Sequence, residues 1–365
     1  MADNSTFDPH NVDLDNASQT DIICYLNQGA NEYDGRLGAR ISALFVILIV
    51  STAGTFFPVL ATRIRRLRIP IYIYLFARYF GSGVIVATAF IHLLDPAYEE
   101  IGPASCVGLT GGWSTYAWPP AIALTAIMVI FGMDFAADCY VERRYGIRTT
   151  AVENLITSDT ARQHEVDPAS ASPDLRRSGS KRGSSDIEEL KNLSGDSEDT
   201  ERAFHSQIAA FLILEFGVIF HSVIIGLNLG VAGDEFSTLY PVLVFHQTFE
   251  GLGIGARLSV IPFPTRFRWM PWALCTAYGL TTPIAIAIGL GVHTTYNGAS
   301  YTANVVSGVL DSISAGILIY TGLVEMLARD FIFNPNRTDS KKRLALMLVS
   351  LYLGVALMAL LGKWA

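Results

Sequence analysis

A chain of 365 residues that is 51% hydrophobic and 16% charged, against about 25% charged in a soluble domain, suits a lipid bilayer rather than water. The net charge of −7 argues against a nucleic-acid partner. Four scattered cysteines without a Cys-x-x-Cys pair, Cys24, Cys106, Cys139 and Cys275, argue against a cysteine-based structural zinc site.

Residues 1–38 are polar and acid-rich, and they lack the apolar run of a cleavable signal peptide. They read as an extracellular N-terminal arm. Apolar runs of spanning length follow at about 39–62, 71–95, 117–141, 206–230, 241–258, 270–293, 303–327 and 344–364. The expected fold is therefore an all-α polytopic membrane protein with eight transmembrane helices, three in 39–141 and five in 206–364.

Orientation follows from the basic residues, which favour the cytosolic side. After the first span lie Arg63, Arg65, Arg66 and Arg68, and ten basic residues lie between Arg143 and Arg202. Arg257, Arg266 and Arg268 follow the fifth span, and Arg329, Arg337, Lys341, Lys342 and Arg343 lie between the last two. Together these are 22 of the 26 lysines and arginines, while residues 96–116, 231–240 and 294–302 hold none. The basic loops are expected in the cytosol and both termini outside. Cys24 and Cys106 then share the oxidising compartment, where a disulfide would tie the arm to the loop after the second span.

Residues 142–205 are rich in Ser, Asp, Glu, Lys and Arg and have no apolar period. That composition predicts a disordered cytosolic loop, whose serines, Lys181 and Lys191 are candidate modification sites read by cytosolic regulators.

Polar residues inside the spans carry the chemistry. The fourth span reads EFGVIFHSVIIGLNLG with His221 at its middle, and the fifth carries His246 and Glu250 at i and i+4, one above the other on a helix face. With the helices ending near Gly230 and restarting near Pro241, His221 and Glu250 each lie nine residues from the shared turn, about 13.5 Å of helix rise. That is close to the midplane of a hydrocarbon core roughly 30 Å thick. Imidazole with carboxylate suits a borderline divalent ion such as Zn²⁺, and with neutral histidines and one carboxylate the loaded site carries about +1.

Other polar residues suggest a pathway. His92 and Asp95 close the second span, and counting back from Pro96 puts His92 about 6 Å below the outer surface, at a mouth rather than the deep site. Asn228 shares the face of His221 two turns nearer the outside, whereas Glu215, six residues before it, does not. Asp311 enters from the outside on the seventh span, and Asp134, Asp138 and Glu325 sit toward cytosolic ends. Gly226 with Gly230, and Gly251, Gly253 and Gly255, allow close helix packing. The alternative chemistry, a membrane-embedded zinc-dependent hydrolase, needs a third histidine at the depth of the other two. The count leaves His92 too shallow for that by about 7 Å.

At these residues the chain resembles the ZIP family of divalent-metal transporters, and within it the fungal plasma-membrane zinc-regulated transporters. The fourth-span signature His-Ser-x-x-x-Gly-x-x-x-Gly is matched by His221, Ser222, Gly226 and Gly230, and the fifth-span His-x-x-x-Glu-Gly by His246, Glu250 and Gly251. The resemblance implies a ZIP-like helical bundle over about 39–364, with Zn²⁺ as transported substrate and no organic cofactor. It implies ligation by His221, His246 and Glu250 with Ser222 and Gln247 adjacent, and a homodimer. It also implies an elevator-like cycle of spans 1, 4, 5 and 6 against 2, 3, 7 and 8. There are two departures. Ile225 stands where some members carry a glutamate that completes a two-metal centre, and the cytosolic loop keeps only His164 and His205 of the histidine-rich string many members have.

Overall fold

In a membrane every backbone N–H and C=O must be paired within its own segment, and the long apolar runs answer by coiling. The computed structural model describes residues 16–29, 33–64, 70–145, 185–295, 297–333, 338 and 340–363, and the regular structure among them is helical throughout. A short helix, α1 (Gln19–Gly29), precedes α2 (Leu37–Arg63). Helix α3 (Ile71–Ala87) passes through a π-helical segment (Thr88–Leu94) into α4 (Asp95–Ile101), and α5 (Trp118–Tyr145) follows. Then come α6 (Ser185–Val231), α7 (Phe236–Leu258), α8 (Met270–Val292), α9 (Tyr301–Tyr320) with a second π-helical segment (Thr321–Ile332), and α10 (Lys341–Leu361).

Seven stretches among the described residues are long and apolar enough to cross a membrane, where the sequence suggested eight. The missing one is α7, which has the length at 23 residues. His246, Gln247, Glu250 and Arg257 dilute its hydropathy, so the helix with most of the chemistry is the least apolar of the set.

Three boundaries differ from the sequence reading. The second span does not stop at Pro96 but runs on as one stretch from Ile71 to Ile101. Proline lacks the N–H that would bond the carbonyl four residues back, and the chain widens its turns just before it, with the Asp95 N–H bonded to Phe90 O. Pro96 then stands in the first turn of α4, where no N–H is needed. The fifth span begins at Phe236 and carries Pro241 inside it. The fourth reaches back to Ser185, so Ser185–His205, read from the sequence as part of the loop, lies within the helix. Extending a helix from a fixed span adds one hydrogen bond per residue ordered, without a new nucleus. The rest of the predicted loop, 146–184, and His164 lie outside the described residues.

The helices pack as two sets. Helix α2 lies along α7 and α8, and α6 along α8; α3 lies along α10, and α9 along α5 and α4. The sets meet where α3 crosses α7 and α9 crosses α6. At the first crossing Gly81 faces Gly253 so closely that a Cβ on either would collide with the other's backbone. Within one set, a Cβ on Gly230 would stand 2.9 Å from the Gly289 Cα.

Arg40 fixes the ends of the first set. It is fully buried, yet its guanidinium is satisfied: it donates to Leu229 O and Gly230 O at 3.0 and 3.1 Å, to Ala232 O, and to Asp34 Oδ1 at 2.7 Å. The first three are carbonyls that the C-terminus of α6 would leave unpaired. At the opposite end Arg78 grips Asp330 with 2.8 and 2.7 Å bonds. Glu325 there lies 2.8 Å from Arg329 and 3.8 Å from Arg257 of α7, the latter an ion pair between the two sets. Cys24 and Cys106 form a disulfide with Cα atoms 5.4 Å apart, joining α1 to the loop after α4.

Candidate metal site

With the observed boundaries the depths realign. His221 lies ten residues before the end of α6 and His246 ten residues after the start of α7, each about 15 Å along its helix. Glu250 is one turn deeper. His92 is nine residues from Ile101, about 13.5 Å, so it is not at the mouth. The earlier count took Pro96 as the helix end.

Three imidazoles accordingly meet. The His221 and His246 rings are 5.4 Å apart between centroids, and His92 and His246 are 5.2 Å apart. Two imidazoles on a tetrahedral ion with Zn–N bonds of about 2.0–2.1 Å have centroids roughly 5 Å apart. Carboxylates complete the group, with Glu250 Oε2 3.6 Å from His246 Nε2 and Asp311 Oδ1 4.0 Å from His221 Nδ1. Asp311, foreseen only as a pathway residue, thus sits beside the histidines. With both carboxylates ionised, a Zn²⁺-loaded site is neutral rather than +1.

The buried polar atoms here lack partners in the protein. Both His221 nitrogens, His246 Nε2, Glu250 Oε1, Asp311 Oδ1, Ser222 Oγ and Gln247 Nε2 are buried without a hydrogen bond, a costly arrangement unless something else binds them. Their chemistry, imidazole nitrogen with carboxylate oxygen, is that of a zinc ligand set. Among the described residues no group of three or more such side chains is drawn closely enough to hold a metal ion as placed. They face a common space at 3.6–5.4 Å instead, which suits a cargo that must leave again.

Neighbouring residues orient the donors. The Tyr278 hydroxyl on α8 lies 3.2 Å from Glu250 Oε2 and 3.1 Å from Gln247 Oε1, and so is shared between the two acceptors. His92 Nε2 lies 3.3 Å from Met358 O; a carbonyl only accepts, so Nε2 carries the proton and Nδ1 the lone pair.

A cavity of about 460 Å³ leads to the site from the side of the loops free of lysine and arginine. Asp95 stands exposed at its rim. Asn228 and Ile225 line it, and so do Glu99, Glu100 and Glu235, which the sequence reading passed over. Three acids near helix ends look like solvated termini in sequence, and a lone Tyr278 in an apolar run looks like core. A larger hollow of about 750 Å³ between α5, α6 and α9 is almost wholly apolar and offers no metal donor.

His92 at depth supplies the third histidine whose absence had counted against a hydrolase, so geometry alone does not separate enzyme from transporter. Relationship does. The family described as ZIP Zinc transporter matches residues 37–362. The chain is 56% identical to Zinc-regulated transporter 1 of Saccharomyces cerevisiae over 98% of this chain and 97% of that one. It is 39% identical to Zinc-regulated transporter 1 of Schizosaccharomyces pombe over 97% and 92%, and 36% identical to Zinc-regulated transporter 2 of Saccharomyces cerevisiae over 93% and 97%. With several apolar helices of spanning length and a family match over most of its length, the chain belongs to the ZIP zinc transporter family, as a multi-pass membrane transporter and not an enzyme.

Proposed function

We propose that this protein imports Zn²⁺ across the plasma membrane through a midplane site made by His221, His246 and Glu250, joined by His92 and Asp311. The observation that carries this reading is the meeting of three buried imidazoles from three helices at the inner end of an acid-lined cavity. Zn²⁺ would shed its water against Asp95, Glu99, Glu100 and Glu235 at the rim, pass Asn228, and exchange oxygen ligands for imidazoles at the bottom. Ser222 and Gln247 flank that position. Borderline-soft Zn²⁺ gains most from such an exchange, whereas Mg²⁺ and Ca²⁺ prefer oxygen.

The same reading takes α7 as the eighth span despite its diluted hydropathy and puts both termini outside, because the basic residues cluster at the opposite ends. The Cys24–Cys106 disulfide supports that side being the oxidising one. Division of the helices into two sets, joined at glycine crossings, supports an elevator-like movement of α2, α6, α7 and α8 against the others. A homodimer, and regulators acting on 142–205, complete the proposal. The test is radiolabelled zinc uptake in cells lacking their own zinc importers, for the native chain and for His221→Ala and His246→Ala at matched surface expression. Native-level uptake by both variants would refute the site.

A further inference from the structure

Beyond the midplane site, toward the basic-loop end, lies a carboxylate that nothing above employs. Glu215 is on α6, six residues before His221, about 9 Å of helix rise away. It is 3% exposed, and neither carboxylate oxygen has a hydrogen-bond partner. Among the described residues no lysine, arginine or histidine lies within ion-pair distance of it, although Arg78, Arg257 and Arg329 at the same end of the bundle are all paired. A carboxyl group so placed is unsatisfied whether charged or neutral, since either form needs a partner. A group left this way in a native fold calls for an explanation, and an ion bound in another state supplies one.

Its surroundings say which ligand. Six residues turn α6 by about 240°, so Glu215 leaves the face of His221, on a helix that packs mainly along α8. Glu250, one turn beyond His246 in the same direction, is the charged group that interacts with Glu215. The Tyr278 hydroxyl that donates to Glu250 stands one turn along α8 from the buried Cys275 thiol, which donates to Thr55 O. A pair of buried carboxylates, with Glu215 lacking any basic partner among the described residues, suits a divalent transition ion.

We infer that Glu215 is a second cation station, taking Zn²⁺ from Glu250 on its way to the cytosolic side. The inference rests on the import reading above. An ion held by three imidazoles and two carboxylates leaves slowly unless an oxygen ligand further along replaces some of those bonds as they break. Glu250 serves as the hinge of that exchange, with Oε2 3.6 Å from His246 Nε2 and Oε1 buried without a hydrogen-bond partner.

The experiment measures initial zinc uptake per surface molecule against outside zinc for the native chain, Glu215→Gln and Glu215→Asp. Glutamine keeps the size and hydrogen-bonding capacity and removes the charge; aspartate keeps the charge. The expected result is a maximal rate at least about tenfold lower for Glu215→Gln, with the half-saturating zinc concentration not raised. Zinc binding to the purified protein should be retained, and Glu215→Asp should recover at least about a third of the rate. A native maximal rate in Glu215→Gln would overturn the inference, as would a Glu215→Asp variant no better than Glu215→Gln. His221→Ala and His246→Ala in the same assay keep the two readings apart: if they transport, the midplane site is wrong whatever Glu215 does.

Discussion

His221 and His246 sit at equal depth on adjacent helices, and their ring separation is one that a shared ion would impose. Alanine at either position is expected to lower uptake by more than the roughly 10–100-fold typical of residues that only support a ligand, with surface expression intact. His92 reaches the same point from the other helix set, so His92→Ala should raise the half-saturating zinc concentration. A neutral effect on both saturation and rate would remove His92 from the site. The pH dependence has a readable sign. An imidazole binds metal only when neutral, so binding releases protons and affinity falls as the outside medium acidifies. The fall approaches about tenfold per pH unit for each histidine that titrates in the range. Uptake at limiting zinc should therefore drop between about pH 7.5 and 4.5 more steeply than at saturating zinc. Equal pH profiles at both concentrations would mean that the histidines do not meet the ion from outside.

At the scale of the element, the second span shows why a helix end is hard to read from a proline. Pro96 looked like a stop, yet the π-helical turns before it absorb the missing hydrogen bond and carry the helix on to Ile101. That extension is what lowers His92 to the level of His221. Arg40 shows the converse, a charge near a predicted helix start that is in fact the cap of a different helix. Arg40→Ala would leave the end carbonyls of α6 unpaired and Asp34 without this partner. A loss of stability on the order of 3–5 kcal/mol is expected, seen as a lower melting temperature in detergent; an unchanged melt would show that water replaces the guanidinium. The long loop is expected to matter little to the helices around it. Removing residues 150–184, which stops short of α6, should preserve zinc uptake and alter only turnover or zinc-dependent removal from the surface. Loss of transport in a deletion variant that still reaches the surface would contradict this.

For the molecule as a whole, the crossing of Gly81 and Gly253 is the point at which the two helix sets touch most closely. A leucine at position 253 cannot be accommodated there without separating α3 from α7. Gly253→Leu is therefore expected to abolish uptake, whereas Gly291→Ala, with nothing within 4 Å of its added Cβ, should leave it unchanged; comparable uptake by the two would show that the crossing tolerates spreading. The disulfide ties α1 to the opposite helix set's outer loop. Thiol labelling of Cys24 and Cys106 in intact cells should require a reductant, and labelling without one would show the bond to be absent.

Sequence alone determined the membrane class, the helical content and most of the spans, and it singled out two histidines of the proposed site, because hydropathy and spacing along one helix are local properties. His221 and the His246–Glu250 pair stand out as polar residues in apolar runs. Tertiary structure alone decided what joins them. Asp311 and His92 become neighbours of the histidines only when α9 and the π-helical segment pack against α6 and α7, and Tyr278 meets Glu250 only across the contact of α8 with α7. Depth was misjudged wherever it depended on a helix end, since π turns and a proline inside a helix shift an end by several residues without changing the hydropathy that marks the span. The burial of Glu215 likewise depends on which helices close over it, which no periodicity along α6 records.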